Sequence, residues 1–151
     1  MNSFRKAEKK DVGLILEFIK GIARYEKLLN EVKATPELLE EWLFEKKIAE
    51  VVFALDNDKE VGFVLYFYNF STFEGRAGIY IEDLYVKPEY RGRGHGKALM
   101  NFLIHKAEKE KLGRMEWTCL DWNQPSIDFY KSLGAKPMDG WTNFRLSFTN
   151  S

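Results

Sequence analysis

The chain has 151 residues, with 23 Lys and Arg against 23 Asp and Glu, so it offers no net basic field to hold nucleic acid. It is 45% hydrophobic and 30% charged, the composition of a globular protein, and its length suits a single domain over residues 1–151 with its own core. The one cysteine, Cys119, excludes an intrachain disulfide or a Cys-based zinc site and suits a reducing, cytoplasmic setting. The N-terminal MNSFRKAEKKD lacks the apolar stretch of a secretory leader, and the longest strongly apolar run, VGFVLYFYNF, falls far short of the ~20 residues of a membrane span, so no membrane partner is expected.

FRKA near Phe4 is predicted as a short first strand. From Asp11, a plausible N-cap, Val12, Ile15, Leu16, Ile19, Ile22 and Ala23 share one helical face. Thr35 followed by Pro36 caps a second helix, with Leu38, Leu39, Trp42 and Leu43 as its apolar stripe. EVVFAL (50–55), the turn DNDK and EVGFVLYFYNF (60–70) read as a hairpin, and IYIEDLYV (79–86) as a third antiparallel strand ended by Pro88. A helix follows to about Leu112, with Leu99, Phe102, Leu103, Lys106 and Ala107 on one face and Gly113 as its C-cap. RMEWTCL (114–120) is a predicted strand, QPSIDFYKSL a helix closed by Gly134, and NFRLSF (143–148) a last strand. The order is that of a mixed α/β sheet.

Between the third strand and the next helix lies YRGRGHGKAL (90–99), where three glycines alternate with basic residues. A Walker A loop would need Gly where Arg91 stands and a hydroxyl where Ala98 stands. The dinucleotide fingerprint needs G-x-G-x-x-G and parallel βαβ units; Gly92, Gly94 and Gly96 are one residue short, and an antiparallel meander precedes them. What remains is a strand, a basic glycine loop and a helix N-terminus, where backbone N–H groups and the helix dipole favour an anion and Arg91 and Arg93 add full charges. A pyrophosphate fits such a site without a metal. A glycine-rich turn with no ligand is the plain alternative.

IEDLYVKPEYRGRGHGKALM resembles the acyl-CoA-binding motif of the GNAT superfamily of N-acetyltransferases, Arg/Gln-x-x-Gly-x-Gly/Ala, through Arg91, Gly94 and Gly96. WNQPSIDFYKSLGA (122–135) is similar to the motif that follows it, in which an Asn precedes a helix carrying a Tyr. Within the superfamily, IARYEKL, YIEDLYV, LDWNQPSIDFY and a late Gly-Trp pair resemble the diamine (spermidine/spermine) acetyltransferases and their thialysine acetyltransferase relatives. The resemblance implies a GNAT-like α/β fold, a mixed, mostly antiparallel sheet of about six to seven strands flanked by about four helices. It also implies direct attack of an amine on the thioester of acetyl-CoA, with no covalent enzyme intermediate and no metal.

Carried over residue by residue, the resemblance makes Glu82 the group that takes the amine proton, through water. Its place in an otherwise apolar strand suggests a partly desolvated carboxylate with a raised pKa. Tyr130 becomes the acid that protonates the departing thiolate, its alternative being a core aromatic. Leu84, Tyr85 and Val86 match a segment that bulges, splays from its neighbour and pairs its backbone with the pantetheine arm. With Arg91, Gly92, Arg93, Gly94, His95, Gly96, Asn123 and Tyr130 they form the expected cofactor set. Asn123 reads equally as a helix cap, and His95 as a phosphate donor or a solvent-facing side chain. Tyr25, Glu26, Phe73, Glu82, Asp83, Asp139 and Trp141 are the expected amine-binding set, supplying carboxylates and aromatic faces to a cation. Phe73 and Asp139 stand where the polyamine enzymes tend to carry Trp and Glu.

The expected partners are acetyl-CoA, a small amine (a diamine, polyamine or lysine-like amino acid such as thialysine) and a second copy of the chain in a homodimer. Other amines, such as an aminoglycoside or a protein N-terminus, remain open. So do a non-catalytic acyl-CoA sensor, which would need neither Glu82 nor Tyr130, and an interaction module that binds no CoA.

Overall fold

In the computed structural model, which describes residues 3–149, five strands form one sheet in the order β1-β2-β3-β4-β5. These are β1 (Ser3–Lys6), β2 (Glu50–Asp56), β3 (Lys59–Ser71), β4 (Arg76–Val86) and β5 (Met115–Trp117). The first four pair antiparallel and β5 runs parallel to β4, so the sheet is mixed as expected. It has five strands rather than about six to seven. The helices are α1 (Val12–Tyr25), α2 (Pro36–Leu39, continued by a π-helical turn over Glu40–Glu45), α3 (His95–Glu110) and α4 (Gln124–Ser132). The chain divides into two compact units, one ending at Trp117 and the other starting at Thr118.

Within the first unit, period-two alternation on the strands meets the apolar stripe of α1. Phe18 of α1 stands 5.9 Å from the Phe53 ring, 5.5 Å from Phe63 and 5.7 Å from Tyr85. Ile15, Leu43, Val51 and Leu65 complete this layer. A carboxylate is drawn to its edge: Arg5 of β1 grips Asp11 through both terminal nitrogens, at 2.9 and 3.0 Å, and reaches Glu60 of β3 at 2.9 Å. The Arg5 guanidinium holds the Asp11 carboxyl below the usual carboxylate range. The predicted cap of α2 forms, with Thr35 Oγ1 accepting from Leu38 N–H at 3.1 Å.

Three local expectations are corrected. Gly113 does not cap α3; Lys111 does, in the left-handed region at φ 59°, its N–H turning back to Ala107 and Glu108. Gly113 is required for space, since a Cβ there would lie 2.9 Å from Glu74 Cβ. The strand predicted over 114–120 is limited to Met115–Trp117, because its ladder with β4 ends where β4 bulges after Ile81. NFRLSF (143–148) forms no strand: alternation supplies an apolar face, but nothing among the described residues supplies a ladder to it. Phe144, Leu146 and Phe148 are 92%, 84% and 93% exposed.

Candidate active site

The site is built outward from one irregularity in β4. Tyr66 of β3 pairs with Ile81 and Leu65 with Asp83, so Glu82 is the extra residue of a β-bulge. Beyond Ile81 the β5 ladder stops, and Leu84, Tyr85 and Val86 are paired on the β3 side alone within the first unit. Of the expected features, the structure shows the bulge and the one-sided pairing of this segment. The Tyr85 ring is turned away into the core against Phe18, and Gly21 of α1 leaves room for its hydroxyl.

The bulge also decides which carboxylate leaves water. Glu82 is exposed, contrary to the expectation that it is the desolvated one, because the extra residue is pushed out of the pleat. Asp83 returns to register and is half-buried. Burial first, then the charges of Glu82 and Glu26, push its carboxyl up to about 7. Glu26 follows the last residue of α1, and burial raises its pKa too. The structure therefore gathers Glu26, Glu82 and Asp83.

After β4, Pro88–Tyr90 form a single 3₁₀ turn and the glycine loop begins. Gly92 and Gly94 take φ of 78° and 86°, the left-handed region in which a side chain is strained. Gly94 caps α3, and Ala98 N–H, bonded to Gly94 O at 2.9 Å, is the first donor satisfied within the helix. The N–H groups of His95, Gly96 and Lys97 have no partner inside the helix, the arrangement that receives a phosphate. Gly96 is helical, with only Val86 Cγ2 near its missing Cβ.

The basic side chains are partly committed. Arg91 Nε donates to Val86 O at 2.9 Å, and its guanidinium lies 5.1 Å from the Tyr25 ring and 5.8 Å from the Tyr85 ring. This draws Tyr25, 40% exposed, to the loop. His95 is neither in the loop nor solvent-facing. It is the first residue of α3, buried, with Nε2 3.2 Å from Asp56 Oδ2. Asp56 was legible in the sequence only as the edge of a turn, and no local pattern tied it to residues on the far side of the hairpin.

Phe73 is not brought to the carboxylates within one chain. It is 95% exposed in the β3–β4 turn, six residues of β3 from the pair Leu65–Asp83, roughly 20 Å along the hairpin. In the second unit, Asn123 is buried and caps α4, its Oδ1 accepting from Ser126 N–H at 3.4 Å. Tyr130 is half-buried on α4 with its ring 5.5 Å from Phe129. Asp139 and Trp141 lie in irregular chain, exposed on either side of Gly140.

The model of the acetyltransferase (GNAT) family matches residues 19–135. The chain is similar to the thialysine N-epsilon-acetyltransferase of Sus scrofa, 38% identical over 94% of this chain and 90% of that protein. It is also similar to the spermidine/spermine N(1)-acetyltransferase-like protein 1 of Homo sapiens, 30% identical over 95% of this chain and 22% of that one. Among solved structures, an integron cassette protein from the mobile metagenome of V. cholerae superimposes with a TM-score of 0.79 at 26% identity, covering 97% of this chain and 93% of that one.

Proposed function

The chain belongs to the GNAT acetyltransferase family of acyl-CoA-dependent N-acetyltransferases, and from that premise we propose that it acetylates a primary amine of a small diamine, polyamine or lysine-like amino acid such as thialysine. The observation that carries this reading is the open edge of β4. There a bulge, a one-sided strand and a left-handed glycine loop follow in the order that suits a thioester arm, with carboxylates beside them for a cation.

Bound acetyl-CoA supplies the electrophilic thioester carbon. The chain receives its pyrophosphate on the N–H groups that open α3, with Arg91 and Arg93 adding positive charge. Backbone groups of Leu84, Tyr85 and Val86 hold the arm, and an N–H of this segment receives the charge that develops on the thioester oxygen. Glu26, Glu82 and Asp83 attract the ammonium end of the substrate. The proton is taken up by the Glu82–Asp83 pair, directly or through water, and Asp83, its carboxyl pushed up to about 7, is the member that accepts it when charged. Tyr130 returns a proton to the thiolate. Tyr25, Trp141 and Asp139 complete the amine set, and Phe73 joins it from a second copy in a homodimer. Residues 1–151 act as one acetyltransferase domain, since the family match spans both compact units.

The test is CoA thiol release at fixed acetyl-CoA over spermidine, putrescine, thialysine, lysine, an aminoglycoside and a peptide, with wild type and Tyr130→Phe side by side. Turnover is expected on the diamines or thialysine, falling about 100-fold in Tyr130→Phe with CoA affinity retained. Turnover on the aminoglycoside or peptide alone moves the substrate class. Tight CoA binding with no turnover on any amine points to a sensor.

A further inference from the structure

The glycine loop is tied to the rest of the sheet through a single carboxylate that the acyl-CoA motif does not contain. Asp56 ends β2, just before the hairpin turn in which Asn57 and Asp58 take φ of 51° and 64°. Its Oδ2 lies 3.2 Å from His95 Nε2 and 3.6 Å from Arg93 Nη1. The His95 side chain is 10% exposed and that of Asp56 24%, so this contact is largely shielded from water. The Tyr90 ring stands edge-on to His95 at 6.5 Å and lies 5.2 Å from the Arg93 guanidinium. Arg93 and His95 thus meet at Asp56, with the Tyr90 ring beside both. Arg91 Nε bonds to Val86 O only five residues back, whereas His95 and Asp56 are 39 apart.

We propose that Asp56 is a positioning residue for acyl-CoA binding, a role that rests on the loop being the acyl-CoA site. A carboxylate only accepts, so His95 Nε2 carries the hydrogen. That bond anchors the first residue of α3, and with it the direction of the N–H groups of His95, Gly96 and Lys97. Without the anchor these donors fray with the first turn, and the pyrophosphate must order them at its own expense. The Arg93 contact keeps an exposed cation at the mouth of the loop, from which a phosphate can draw it.

Asp56 is also a negative charge beside an anion site, and as a charge alone it opposes binding. The two effects have opposite signs, which makes them separable. Asp56→Ala removes anchor and charge; Asp56→Asn keeps an acceptor for His95 Nε2–H and removes only the charge. With the whole chain, CoA affinity is measured by calorimetry, and KM for acetyl-CoA, KM for the amine and kcat are measured for all three proteins. Asp56→Ala is expected to bind CoA about tenfold more weakly and to raise KM for acetyl-CoA in step, with KM for the amine and kcat little changed. Asp56→Asn is expected to bind CoA at least as tightly as wild type. CoA binding undiminished in Asp56→Ala, or lost equally in both variants, overturns the anchoring role. Wild type that binds no CoA overturns the reading of the loop itself, a result distinct from either.

Discussion

Glu82 and Asp83 are adjacent in sequence and unlike in surroundings. One extra residue in β4 leaves the first in water and returns the second to the pleat beside Glu26. Burial and two negative neighbours favour the neutral form, so Asp83 is protonated below about pH 7 and charged above it. A proton acceptor must be charged, and kcat/KM follows ionisations of the free enzyme. It is therefore expected to fall as pH drops through about 7, approaching tenfold per unit. Asp83→Asn should remove that limb. Glu82→Gln removes one of the charges that raise Asp83, so its limb should move to lower pH and persist. A pH–rate profile of both variants checks this; a limb that survives in Asp83→Asn and vanishes in Glu82→Gln assigns the proton to Glu82.

At the scale of the element, the open edge of β4 depends on how closely β3 lies behind it. Gly62 faces Val86, and a Cβ there would come within 2.5 Å of Tyr85 O and 3.2 Å of Val86 Cα. These are backbone atoms, which yield only if the strand moves. Gly62→Ala is expected to cost about 1–3 kcal/mol in urea denaturation and to weaken CoA binding through displacement of residues 84–86. An unchanged midpoint with unchanged CoA affinity would mean that this edge shifts freely and does not set the site. The same dependence explains the truncated β5: once β4 bulges, the parallel ladder has nowhere to continue.

At the scale of the whole molecule, the segment 143–148 has strand chemistry and no ladder among the described residues. Phe144, Leu146 and Phe148 alternate with polar residues and are almost fully exposed, and Phe73 stands free at the β3–β4 turn. Exposed alternating apolar residues are a pairing surface in waiting. Light scattering is expected to give twice the chain mass, and Leu146→Asp to return the protein to a monomer. A monomer mass for wild type removes the dimer and with it the place proposed for Phe73.

Much of the fold was legible locally. The cap at Thr35, the turn before Lys59 and the stripe of α1 rest on interactions between near neighbours in sequence, and they form where the pattern places them. The glycine loop was legible for the same reason: Gly92 and Gly94 announce backbone that other residues resist, and the motif around them carried the family.

The sequence by itself therefore determined the meander and the glycine loop before α3, both written in short-range pattern, and its motifs carried the resemblance to the acetyltransferase family. Only the tertiary structure decided which of two adjacent carboxylates is desolvated, where the parallel ladder stops and that His95 turns inward to Asp56. A bulge shifts register against a strand that is distant in the chain, and burial is a property of everything packed around a residue. Neither quantity is carried by any residue's immediate neighbours.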